Sequence, residues 1–176
     1  MSSLAKITDA TLYRLLGFCC LSKITLAING AGAATVANTG AINYLNDGVF
    51  KQKAALSAQS IAITHDQNGN PVASGVAAYV QPVSTTVYYL LSLTAAGAVQ
   101  VSQGGYAGQK IDNSPAGLVF TSQGGLPELP AGSTPIGLIK VVTNSSTTFT
   151  PATTALDAAG LTVTYFDICL MPKVAP

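Results

Sequence analysis

Hydrophobic and polar positions alternate with a period of two along most of this chain, which is the pattern of strands with one face buried. Ile24-Thr25-Leu26-Ala27-Ile28 alternates and stops at Asn29-Gly30, a pair suited to the left-handed backbone of a tight turn. Ala41 to Leu45 runs into the turn Asn46-Asp47-Gly48, and Ser60 to Thr64 runs into the polar loop His65 to Pro71. Val72 to Val80 reads as a strand built from small residues. Thr85 to Leu93 carries the strongest strand signal, and Thr94-Ala95-Ala96-Gly97 turns it back into Ala98 to Ser102 as a hairpin. Pro135 to Val142 forms a further strand, Asn144-Ser145-Ser146 turns, and Thr147 to Thr150 is its expected partner. Leu161 to Leu170 is the last strand, ended by Pro172.

Two stretches depart from this pattern. Leu12, Leu15, Leu16, Phe18 and Leu21 recur at spacings near three and four. They suggest a short helix between Ser3 and Leu21, capped by Thr8 or Asp9 and weakened by Gly17. Residues 1–22 are then either a helix packed on its own domain or an arm docked on another chain. The run Gln103 to Ala131 is rich in Gly and Pro, with one short strand expected at Leu118-Val119-Phe120. Loops of such length usually carry function or wrap a neighbour. Lys53 to Ala58 has the alanine content for one or two helical turns. No helix is long enough for a parallel crossover. The expected architecture is therefore all-β: a β-sandwich or a jelly-roll or barrel-like domain over residues 23–176, with a short N-terminal helix or arm.

Only 9% of the 176 residues are charged while 48% are hydrophobic, and the mean hydropathy is +0.42. Soluble domains carry roughly a quarter of their residues as charges, so this surface belongs in a membrane or in an assembly. The longest apolar run, Leu15 to Leu21, is far short of the roughly 20 residues that span a bilayer. Asp9 and the lack of a small-x-small site before Lys23 argue against a cleaved signal, and Phe18 before Cys19 argues against a lipid anchor. Outer-membrane barrels carry aromatic girdles, whereas aromatics are 7% here and Trp is absent. Assembly is favoured over lipid. A formal charge of +1 advertises no nucleic-acid surface. Cys19, Cys20 and Cys169 lack the spacing of a disulfide framework and are expected as reduced thiols.

Candidates for chemistry are few. His65 is the single histidine; it sits beside Asp66, and no Gly-x-Ser-x-Gly elbow accompanies it. Asp66 to Asn70 resembles the opening of a calcium loop, but the glycine comes one residue early and no Glu closes it; an Asx turn explains it better. Ser3-Leu4-Ala5-Lys6 matches a Ser-x-x-Lys motif without its companions. Asn144-Ser145-Ser146 is a formal glycosylation sequon. Gly30-Ala31-Gly32 lacks the third glycine of a dinucleotide loop. The seven acidic residues are dispersed, and no zinc pattern exists. No catalytic residue, cofactor or metal is expected.

Three phrases carry a resemblance: Val87 to Gly104, Leu129 to Val141, and Thr148 to Leu161. They resemble small virion proteins of tailed bacteriophages, especially capsid cement or decoration proteins and some head-fibre or tail-associated proteins. These phrases lie within Thr85 to Ile168, and the resemblance over that stretch covers about half the chain; the segment bearing Cys19-Cys20 departs from it. It implies a β-rich, non-enzymatic protein, made in the host cytoplasm and bound to the outside of the virion head. Its implied partners are the major capsid protein and further copies of itself, a trimer ahead of a dimer. Leu12, Tyr13, Leu15, Leu16 and Phe18 of the first segment, and Leu126, Pro127 and Leu129 of the long loop, are the expected interface residues. The alternatives are a tail or head-fibre component, or a host- or carbohydrate-binding β-module; the lack of Trp counts against sugar stacking.

Overall fold

The computed structural model describes residues 17–73, 79–105 and 125–169. The fold is all-β and sandwich-like, with three antiparallel sheets. The strands among the described residues are β1 (Phe18–Cys20), β2 (Ala27–Ile28), β3 (Thr35–Ala37), β4 (Ile42–Asn46), β5 (Val49–Lys53), β6 (Gln59–Ser60), β7 (Thr86–Leu93), β8 (Val99–Gln103), β9 (Thr134–Thr143) and β10 (Leu161–Asp167). Among the described residues no helix is long and apolar enough to cross a membrane.

The largest sheet has the order β10-β9-β7-β8. Its inner face carries Val87, Tyr89, Leu91 and Leu93 from β7, Val101 from β8, and Ile139 and Val141 from β9, all essentially inaccessible to solvent. Half-buried Leu161, Val163 and Tyr165 of β10 extend this face. A register shift between Leu91 and Ser92, against Gly137 and Pro135, bulges β9 at Ile136. A bulge of this kind turns an extra side chain, and Ile136 is fully buried. Beside the bulge, Gly137 lets Leu26 pack closely, since a Cβ there would stand 3.3 Å from Leu26 Cδ2.

Two small sheets, β1-β4-β5 and β2-β3-β6, supply the opposing layer. Cys20, Ile24, Leu26, Val36, Ile42, Tyr44, Leu56 and Ile61 pack into one cluster with the large sheet's inner face. Layers of a sandwich interdigitate such side chains. Polar ties fix the layers laterally: Thr134 Oγ1 donates to Leu45 O at 2.7 Å, Asn46 Nδ2 to Gly132 O at 2.9 Å, and the Leu26 amide to Asp167 Oδ1 at 3.3 Å. The Asp47-Gly48 turn has φ of +52° and +72°, the left-handed pair that a two-residue hairpin needs.

Several expected elements differ in the structure. Phe18–Cys20 is a strand paired with β4, so the last turn of the expected N-terminal helix is absent. Residues 1–16, with Leu12, Tyr13, Leu15 and Leu16, lie outside the described residues. Ile24 to Leu26 keeps the buried-exposed alternation but not the strand, because Thr25 adopts φ +53°. Ile61 to Thr64 leaves β6 to cross toward β8, where the Thr64 and His65 amides both donate to Val101 O. Lys53 ends β5 and 54–58 forms no helix: Asn38 Oδ1 takes the Leu56 amide at 2.6 Å, and Ala58 has φ +48°. Within Val72 to Val80 the described residues are not strand; 74–78 lie outside. Thr147 to Thr150 does not pair with β9, both of whose edges are taken by β7 and β10. Phe149 instead bridges to Gln81. The expected strand at Leu118 to Phe120 and the chain end from Leu170 also fall outside.

Candidate functional site: the outer face of the large sheet

Alternation along the large sheet sends the even-numbered residues of β7, β8 and β10 to its outer face. One cross-strand row there reads Phe166, Leu138, Leu90 and Ser102; the next reads Thr164, Lys140 and Tyr88. At the β10 end the face is open, and Phe166 is 43% exposed. At the β8 end it is roofed by residues 125–133. Gly104 donates to Tyr88 O at 2.7 Å and lies so close under Gly125 O and Pro127 that a Cβ there has no room. The Glu128 amide reaches Gln67 O at 2.8 Å, and Ser133 Oγ donates to Gln100 Oε1. Glycine at 104 is what lets the roof approach the sheet.

Held this way, the roof presents Leu126 at 66% exposure and Leu129 at 39%. Pro127 between them is buried against Gly104, and this rigid ring serves the roof's own seat on the sheet. A second apolar group lies at the β4–β5 turn. Phe18 and Val49 flank Asn46 on one face, Phe50 lies beside Leu45 on the other, and all three hydrophobes are exposed. The sequence missed Phe166, Val49 and Phe50; only the pairing register shows which way they point.

Beneath the roof lies a buried polar cluster. Ser92 and Ser102 flank Gln100 on the outer face. Their hydroxyls are fully buried, with no hydrogen-bond partner among the described residues. The His65 ring has Thr64 Oγ1 at 2.9 Å from Nδ1 and Gln100 Nε2 at 3.4 Å from Nε2. With the amide donating to Nε2, the neutral tautomer protonated on Nδ1 satisfies both contacts. Thr64 Oγ1 also accepts the Val101 amide at 2.8 Å. Among the described residues no serine hydroxyl bonds the ring and no carboxylate orients it: Asp66 Oδ1 accepts the Asn68 and Asn70 amides, each at 2.9 Å. His65 therefore welds the 64–65 segment to β8, and Asp66 forms the Asx turn that its neighbours suggested. Among the described residues no group of three or more His, Cys, Asp or Glu is placed to hold a metal ion.

Burial holds His65 below its ordinary pKa of 6.5, with Asp66 opposing in part. A histidine depressed in the fold takes up protons more readily when unfolded, so stability falls as pH drops below about 6.5 toward the folded value. We expect melting temperature to fall between pH 7.5 and pH 5, and His65→Gln to flatten that dependence. An unchanged slope in the variant would assign the acid sensitivity elsewhere.

The Cys19 and Cys20 thiols are not activated. Cys20 donates to Ser22 O at 3.2 Å, and burial pushes its pKa up to about 11; burial also raises Cys19. Both stay protonated at neutral pH and act as small apolar side chains.

The chain matches no family model, no curated protein and no solved structure.

Proposed function

We propose that this protein is a non-enzymatic virion structural protein of a tailed bacteriophage, which binds the outside of the head as a homo-oligomer and stabilises the capsid lattice. The observation carrying this reading is the combination of very few charges with large apolar side chains left in water: Leu126 and Leu129 of the roof, and Phe166 of β10. The resemblance of three segments to cement proteins supplies the class of partner, the major capsid protein.

The physics suits the task. A filled head pushes outward, and a cement opposes it by burying area across joints between subunits, at roughly 25 cal/mol per Å² of apolar surface before ordering costs. Many copies multiply a modest contact. Leu126 is held by a roof anchored to two neighbouring segments, which lowers the entropy lost when it docks.

Co-sedimentation with heads lacking the protein tests the reading. The wild-type chain is expected to pellet with heads, and Leu126→Asp/Leu129→Asp to bind at least tenfold more weakly while melting within a few degrees of wild type. Failure of the wild-type chain to bind any head overturns the proposal.

A further inference from the structure

We propose that the free edge of the large sheet is a self-association site: β10 of one copy pairs antiparallel with β10 of a second copy about a two-fold axis at Thr164, joining two sheets into one. The proposal rests on the main chain of β10 and stands independently of the capsid reading.

β10 runs seven residues, Leu161–Asp167, and ends the sheet order. Which of its main-chain groups are free follows from the register. Asn144 donates to Gly160 O and Ile168 to Ile136 O, and both pairs continue the β9–β10 register. In an antiparallel ladder hydrogen-bonded pairs alternate with non-bonded ones. The even residues 160 to 168 thus point their amides and carbonyls at β9. Val163, Tyr165 and Asp167 point theirs away from the sheet, and among the described residues no backbone group meets them.

Natural sheets guard such an edge with lysine, proline, a bulge or brevity. β10 has none of these: its sequence is Leu-Thr-Val-Thr-Tyr-Phe-Asp, and its pairing with β9 is regular throughout. By contrast, Lys51 and Lys53 guard the edge strand β5, and the 64–65 segment covers β8. The unguarded edge also borders the open, apolar end of the outer face at Phe166.

The strand is complementary to itself. Centred on Thr164, Val163 meets Tyr165 of the second copy as a hydrogen-bonded pair, so the free groups find one another. Thr162 meets Phe166 on the outer face, a β-branched residue against an aromatic one, which is a favourable cross-strand pair. Asp167 meets Leu161, so no like charges oppose. Sliding the axis to Val163 or Tyr165 leaves residues unpaired at one end. The closed pairing makes a dimer, rather than the trimer suggested by the resemblance.

Cysteine cross-linking reads this register. Thr164 would face its symmetry mate as a non-bonded pair, with Cα atoms about 4.5 Å apart, within disulfide reach. Two Thr162 residues would lie roughly four residues apart, out of reach at about 3.4 Å per residue. Both threonines are exposed. Under mild oxidation the full-length Thr164→Cys chain should give a covalent dimer at least tenfold more abundant than Thr162→Cys or the wild-type chain. Light scattering gives the second measurement. Thr164→Lys and Thr164→Glu should each be monomeric at concentrations where the wild type is dimeric, and their equimolar mixture should restore the dimer. No Thr164→Cys dimer, equal cross-linking at 162 and 164, or a dimer indifferent to Thr164→Lys overturns the proposal. A chain that cross-links at 164 yet binds no head keeps the strand pairing and loses the capsid reading.

Discussion

Phe149→Ala is expected to cost about 3–5 kcal/mol of folding stability, a large part of what an ordinary domain has. The ring is fully buried and meets Tyr89 edge-on, with centroids 5.7 Å apart and planes at 69°. Its backbone exchanges two hydrogen bonds with Gln81, at 2.8 and 3.0 Å. The Gln81 side chain in turn donates to Thr85 O at 3.1 Å and Val141 O at 3.0 Å, and accepts from the Tyr89 hydroxyl at 3.1 Å. Truncating the ring therefore empties the centre of a fixed network rather than a site free to collapse, which puts the cost at the upper end of such substitutions. Urea denaturation should show a lower midpoint with an unchanged slope. Gln81→Ala should also destabilise, because Thr85 O and Val141 O each lose a donor and the buried Tyr89 hydroxyl loses its bond to Oε1. The two residues touch, so the double variant should lose less than the sum. A loss below about 1 kcal/mol for Phe149→Ala would remove the ring from the core.

That network marks a limit of what the sequence discloses. The β7–β8 hairpin, β9 and β10 are legible because each has continuous β-forming residues bounded by Gly, Asn or Pro. Gln81 and Phe149 were not legible as partners: each makes an isolated bridge, and nothing local distinguishes a glutamine that closes a sheet from one in solvent. Ile24 and Leu26 were read correctly as alternating, yet Thr25 takes a left-handed conformation that the pattern cannot report. β5 was missed because Val-Phe-Lys-Gln-Lys is an edge strand covered on one side only, so its polarity resembles a loop.

The candidate surface was partly visible for a similar reason. Leu126 and Leu129 stood out as large apolar residues in a Gly/Pro-rich run, and they are exposed. Tyr165 and Phe166 are adjacent and chemically alike, but one faces the core and the other water. A one-residue difference in a period of two decides that, and only the pairing with Ile139 and Leu138 supplies it. That Pro127 is buried against Gly104 was not legible, because the close approach of Gly104 is a tertiary fact.

Gly104→Ala tests that approach and links the fold to the proposed function. The obstacles to a Cβ at 104 are the backbone at Gly125 and Tyr88 and the Pro127 ring; two of the three are main chain and cannot rotate aside. The variant should cost about 1–3 kcal/mol, as overpacking does, and should lift residues 125–130 from the sheet. The control is Gly40→Ala, where a Cβ meets nothing within 4 Å and φ is not left-handed; its cost should stay within about 0.5 kcal/mol. If the roof sets the positions of Leu126 and Leu129, Gly104→Ala should lower head binding at least tenfold at temperatures where the protein remains folded. Cross-linking through Thr164→Cys should be unaffected, because β10 lies at the opposite edge of the sheet. Weakened binding with intact strand pairing separates the two surfaces. Full head binding by a folded Gly104→Ala chain would mean that Leu126 and Leu129 need no fixed platform, and the outer face would lose its claim to be the docking surface.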